Sequence, residues 1–333
     1  MTVTAERENQ GGAGVGEPGK QKAAGAGKML ETPLVLLLII GTFLAVSTVF
    51  AKAAPDIGWH PVGLLQWSVL GGAAGLFVVT RLFDLRRRNK GQRKAVTDRR
   101  QLIVYILITG GLFILPNMIA VTAAPKVGAG FVALCYAFPL VLTYAFAVVL
   151  RLQRFQVLMV GGVLFGVAGG VLLAISGKTL SAEASLWSVW ALSIPVFLAA
   201  GNIYRTLKWP EGAKPVDLAL GMMALGFLAL VAFTTLWNIP TVPSDWTGEA
   251  VMLLVAQIAI FGLQYDLYFR LQKTAGPVYL SQIGSVAAVV GLALGFLVFN
   301  EVPNAAKLAA VMFVGIGIVL VTLGQRRLSG NKN

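Results

Sequence analysis

The sequence predicts an all-α integral membrane protein of ten transmembrane helices in two inverted five-helix repeats, with N- and C-termini cytoplasmic. Three observations predict it. Of the 333 residues, 57% are hydrophobic and 12% charged, against roughly 25% charged in soluble domains. Beyond residue 32 almost the whole chain divides into apolar runs of about 20 residues, the length that crosses about 30 Å of hydrocarbon. All but four of the 27 Lys and Arg fall on alternate connections, as the positive-inside rule requires.

Residues 1–32 are rich in Gly, Ala, Lys and Glu and poor in large apolar groups, so burial cannot offset the entropy of ordering them. They are expected to form a disordered cytoplasmic tail. The spans follow at 33–53, 61–81, 101–122, 127–150, 154–175, 187–207, 216–238, 249–271, 277–299 and 304–324. Proline and glycine mark the breaks: Pro55 and Pro61, Ala124-Pro125, Pro210 and Pro215, Pro240 and Pro243, Gly276-Pro277, and Pro303. Ala51-Lys52-Ala53 resembles a signal-peptidase site, but the tail and apolar run before it are too long for a signal peptide.

A cytoplasmic N-terminus leaves only Lys52, Lys126, Lys178 and Lys307 on the outer side. The net charge of +13 is therefore a topology signal with some affinity for lipid headgroups, and no nucleic-acid partner is expected. The partners expected are the lipid bilayer of a cell inner (plasma) membrane and a small-molecule substrate, with the chain a monomer or homodimer.

A shift of 148 residues lays 130–173 over 278–321 and matches Val141, Ala145, Val163, Phe165, Gly169, Val171 and Leu172. It also superimposes the connection after the fourth span on the one after the ninth. The first repeat is then 33–175, a linker 176–186, the second repeat 187–324, and a cytoplasmic tail 325–333. Five is odd, so the halves run in opposite directions through the membrane, and inverted-repeat carriers hold substrate near the midplane where the halves meet.

Residues 274–321 carry a family resemblance. Thr274-Ala275-Gly276 opens the ninth span, Asn300-Glu301 closes it, and a glycine-rich tenth span follows. In these features the chain resembles the EamA-type ten-helix members of the drug/metabolite transporter superfamily, over roughly 33–324. The first half departs from the pattern, with Gln153 where the second has Glu301 and Pro125-Lys126 filling the turn before the fourth span. The resemblance implies a secondary carrier working by alternating access, often an exporter of amino acids or other small metabolites. A non-transporting sensor or assembly protein using the same fold is the alternative.

Polar groups deep in a span are costly, which makes them the candidates for a site. In the eighth span Gln257, Phe261, Gln264, Tyr265 and Tyr268 share one helical face. Tyr136, Thr143 and Tyr144 form a stripe around Pro139 in the fourth. Gln282 and Ser285 in the ninth, Ser193 and Tyr204 around Pro195 in the sixth, Asn117 beside Pro116 in the third, and Gln66 with Trp67 in the second complete the set. Interhelical packing is the competing reading for each, with hydrogen bonds worth about 1 kcal/mol.

Asp266 is the candidate for proton coupling, with an i,i+4 pair to Arg270 as the structural alternative. The first span has no acidic residue, so the helix-1 glutamate of small multidrug resistance proteins has no counterpart. Glu301 is expected to cap the turn or helix that follows it, and Lys52 to face an outer vestibule or snorkel to the interface. No enzyme is expected: one His and one Cys make neither a zinc site nor a thiol–imidazole pair, and no Gly-Lys-Ser/Thr loop is present. No cofactor or metal is expected. With few buried charges, the cavity should prefer neutral or zwitterionic, amino-acid-like solutes.

Overall fold

A computed structural model of the chain describes residues 32–86, 98–151, 155–176, 182–301 and 305–330. The segment 1–31, Gln153 and the tail beyond 330 lie outside them. Among the described residues the chain forms twelve α-helices: α1 (Pro33–Ala53), α2 (Pro61–Arg86), α3 (Arg99–Val127), α4 (Ala129–Cys135), α5 (Pro139–Val149), α6 (Val157–Ser176), α7 (Ala182–Ala191), α8 (Ile194–Leu207), α9 (Pro215–Leu236), α10 (Gly248–Leu280), α11 (Ile283–Phe299) and α12 (Ala305–Gly330). Eight helical stretches are long and apolar enough to cross a membrane, and two shorter apolar helices cover Val157–Gly169 and Ile283–Phe299. It is a multi-pass all-α membrane protein.

Backbone chemistry selects helices here, because only intrahelical bonding satisfies every N–H and C=O without water. Their starts are written locally. Asp98 accepts from the Arg100 and Gln101 amides at 2.8 and 3.1 Å to open α3, and Thr247 accepts from the Ala250 amide at 3.1 Å to open α10. Pro33, Pro139 and Pro215 stand at first-turn positions, where a missing N–H is harmless. Leu107, Val189 and Leu297 are more than half exposed, an arrangement suited to acyl chains and not to water.

The breaks differ in detail from those expected. α3 continues through Pro125 to Val127 and stops at Gly128, whose φ of 97° and ψ of 148° belong almost only to glycine. The second span interruption of this kind is Gly276, at φ 77° and ψ 177°. The fourth expected span is two helices, α4 and α5, parted at residues 136–138; the sixth is α7 and α8, parted at 192–193; and α10 runs past Gly276 to Leu280 before a further break separates it from α11. Pro139 and Pro195 follow two of these breaks directly, since neither can donate to the preceding turn.

Packing pairs the elements across the chain. α12 lies along α6, α11 against both α1 and α4, α9 against α2 and α3, α10 against α1 and α2, and α8 against α3 and α5. Close backbone approach fixes the α11 contact, because a side chain at Gly284 would run into the Tyr136 carbonyl. In the α6–α12 pair, Gly169 abuts Val314 while Gly317 abuts Gly166.

Connections assigned to one face of the membrane touch one another. Ser244 donates its amide to the Gly58 carbonyl at 2.9 Å, Trp59 meets Trp246 edge-on at 5.8 Å, and Lys126 pairs with Glu183. Lys52 pairs with Glu301, whose carboxylate also accepts from the Ala129 and Gly130 amides at 2.9 and 3.0 Å. Glu301 thus caps α4, while the turn after it lies outside the described residues, and Lys52 is held in an ion pair beside the Phe299 ring.

Candidate functional site

α1, α3, α8, α10 and the breaks at 136–138 and 281–282 converge on a partly open cavity whose empty space, including the part open to solvent, is about 670 Å³. Asn117, Tyr136, Gln264, Tyr265 and Tyr268 stand on its wall together with Arg205, Asn202 and Ser281. A second cavity of about 320 Å³ shares Asn117, Tyr136, Gln264 and Tyr265 with the first and adds Gln257, Phe261, Ser47 and Thr48.

The aromatic and amide groups are held by their neighbours. Pro116 removes the amide donor that the preceding turn of α3 expects, and Asn117 Nδ2 donates to the Phe113 carbonyl at 2.7 Å. That leaves Asn117 Oδ1 turned towards Tyr265, whose hydroxyl lies 3.5 Å away. Phe113 meets the Tyr265 ring edge-on at 4.9 Å, so the phenol has little rotational freedom. Gln264 Oε1 is buried with no hydrogen-bond partner, a costly state for an amide oxygen unless something else occupies the space.

Arg205 lies in α8 and is 3% exposed. Its Nε donates to Gln272 Oε1 at 3.1 Å, and its Nη2 donates to Asn202 Oδ1 at 3.0 Å and to the Tyr268 hydroxyl at 2.7 Å. Tyr268 in turn donates to Asn202 Oδ1 at 2.6 Å, and Gln272 Nε2 donates to the Asn202 carbonyl at 3.2 Å. The guanidinium also lies over the Tyr268 ring, 5.2 Å from its centre. Every partner is neutral, and among the described residues no carboxylate pairs with it.

The sequence reading missed this group because it counted Arg205 among the basic residues of a cytoplasmic connection. The signal was present: the expected sixth span ran to 207, which places Arg205 inside it. The premise of few buried charges fails at this one position.

Other candidates lie off the cavity wall. Thr143 and Tyr144 are buried on α5, where the Tyr144 hydroxyl accepts the Gln156 amide at 3.1 Å. Gln282 precedes α11 and Ser285 lies in its first turn. Trp67 Nε1 donates to the Thr241 carbonyl at 2.6 Å, Gln66 accepts from Thr234 at 2.8 Å, and Ser193 donates to the Trp190 carbonyl. Tyr204 packs on Tyr105. Asp266 Oδ2 pairs with Arg270 at 2.6 Å, and its Oδ1 is buried without a partner. Cys135 is a buried free thiol.

A solved crystal structure, described by no more than the word protein, is similar to this chain with a TM-score of 0.57 at 21% identity. The alignment covers 88% of this chain and 96% of that one. The likeness is one of fold. No family model matches the chain, and no curated protein matches it.

Proposed function

We propose that the chain is a secondary carrier of the EamA type in the drug/metabolite transporter superfamily, exporting a small amino-acid-like solute by alternating access. In this reading ten spans form two inverted five-helix repeats, 33–175 and 187–324, and the cavity lined by Asn117, Tyr136, Arg205 and Gln264 is the substrate site.

The observation that carries the reading is that two pairs of residues 148 apart, the same shift that aligns the two halves of the sequence, touch each other, and that other positions related by this shift match in backbone or in reciprocal contacts. Asn117 and Tyr265 are hydrogen-bonded partners on the cavity wall. Tyr136 and Gly284 touch there too. Gly128 and Gly276 share the same glycine-only backbone region at the two breaks. Gly166 and Gly169 meet Gly317 and Val314 reciprocally. Self-pairing of equivalent positions is the signature of a two-fold axis, because only residues on the axis meet their own counterparts. A binding site on such an axis can open to either side by rocking one repeat against the other.

Reconstitution tests this. Proteoliposomes loaded with a broad amino-acid panel are expected to show counterflow of at least one labelled solute. Absence of counterflow across the panel would favour a non-transporting protein of the same fold.

A further inference from the structure

A buried arginine differs from every other polar group in this cavity, because it cannot lose its charge. A guanidinium stays protonated in proteins, whereas a lysine or histidine in the same position could become neutral. Desolvation of such an ion costs several kcal/mol even after relaxation, and neutral hydrogen-bond partners return only part of it. Arg205 has three neutral partners and no carboxylate among the described residues, while its Nη1 makes no hydrogen bond to any of them. Asp266, the carboxylate on α10 two residues before Tyr268, is paired with Arg270. The cavity wall therefore carries a positive charge with no carboxylate beside it among the described residues.

The second open valence is Gln264 Oε1, an acceptor buried on the same wall. An anion alone would not satisfy it, since it needs an N–H or O–H donor. Tyr136, Tyr265 and Tyr268 line the same cavity, presenting ring edges and faces to whatever body joins these two ends.

From the carrier reading and these two groups we infer that the solute is a small carboxylate bearing a second, hydrogen-bond-donating group: an amino or hydroxy acid. Its carboxylate binds Arg205, and its ammonium or hydroxyl donates to Gln264 Oε1. The carboxylate accepts from the free Nη1 of the guanidinium, a charge-assisted contact about twice as strong as a neutral one. Asn202, Gln272 and Tyr268 are positioning residues, holding the planar fork across the gap between α8 and α10.

Matched solute pairs test the inference on the full-length protein in detergent, by thermal stabilisation and calorimetric titration. The probes are phenylalanine against phenylalaninamide, leucine against leucinamide, and lactate against lactamide. At least one acid is expected to bind the wild-type protein at least tenfold more tightly than its amide. In Arg205→Gln that preference is expected to vanish, and Arg205→Lys is expected to restore part of it.

The wild-type comparison stands even if the glutamine variant does not fold. Equal affinity for acid and amide, or no stabilisation by any acid, overturns the Arg205 assignment. So does a folded Arg205→Gln that keeps the full preference, which would leave the arginine a clamp between helices. Acid binding without counterflow in proteoliposomes would instead overturn the carrier reading and leave the anion site standing. Counterflow confined to uncharged solutes would do the opposite.

Discussion

Arg205 on α8 and Asp266 on α10 are both ionisable residues inside helices, and their partners separate them. Asp266 has its cation within one helical turn, so the pair can form in any isolated helix; the Arg205 cluster needs two helices 60 residues apart in sequence to meet. Asp266→Asn is expected to leave solute counterflow intact and to abolish flux driven by a pH gradient. Unchanged pH-driven flux would make Asp266 a structural partner of Arg270 only. Gln264→Ala and Tyr265→Ala are expected to lower transport at least tenfold with membrane abundance unchanged, since each removes a wall group and no backbone support. Normal transport by both would return this face of α10 to packing. On the 54–60 connection, burial pushes the His60 imidazole below its usual 6.5. Its Nδ1 accepts the Val62 amide at 3.3 Å, which protonation forbids. The unfolded chain then takes up the proton first as pH falls through about 6.5, so the folded state loses stability in acid. The thermal midpoint is expected to drop on acidification from about pH 7.5 to about pH 5.5, and to drop less in His60→Gln.

Elements break where a single backbone angle or a close approach requires it, and three glycines separate those causes. At Gly276 nothing lies near the position a Cβ would take, so Gly276→Ala tests backbone strain alone, about 1–3 kcal/mol. At Gly128 the strain is joined by contact with the Glu301 carboxylate. Gly284 has ordinary helical geometry but no room beside the Tyr136 carbonyl, so Gly284→Ala must push α11 from α4. The order of thermal midpoints is expected to be wild type, Gly276→Ala, Gly128→Ala, Gly284→Ala, from highest to lowest; a Gly284→Ala protein as stable as wild type would refute the close contact. Glu301 acts at this scale too, tying the α4 start to Lys52 on α1. Glu301→Gln keeps a side-chain acceptor for one amide and discards the ion pair. It is expected to raise the reactivity of a cysteine placed at Ser47 towards a membrane-impermeant thiol reagent, in a Cys135→Ser background. Unaltered reactivity would mean that the ion pair does not hold the outer ends of α1 and α4 together.

For the whole molecule, orientation rests on where the basic residues fall, and the structure groups the connections consistently with that reading. The 54–60 and 239–247 connections pack together, while Lys273 lies over Trp209 at the opposite set of ends. In the same Cys135→Ser background, a cysteine at Trp246 is expected to react with impermeant reagent in intact cells, and one at Arg327 only after permeabilisation. The reverse result would invert the topology. The membrane class, a succession of long apolar helices and the polar face of α10 were legible in the sequence, because each depends on composition or on helical period. Asn117, Tyr136, Gln264, Tyr265 and Tyr268 could also be picked out, as polar groups within spans or on one helical face. Trp67, Thr143 and Tyr144 carried the same signal, yet the fold turned them to a loop carbonyl and to packing. What only the tertiary structure decided was which faces meet: that α8 lies beside α10 and buries Arg205 among neutral groups, and that Glu301 reaches back to α4. Helical period assigns a residue to a face of its own helix, but its burial and its partners depend on the neighbouring helix, and no local pattern contains that neighbour.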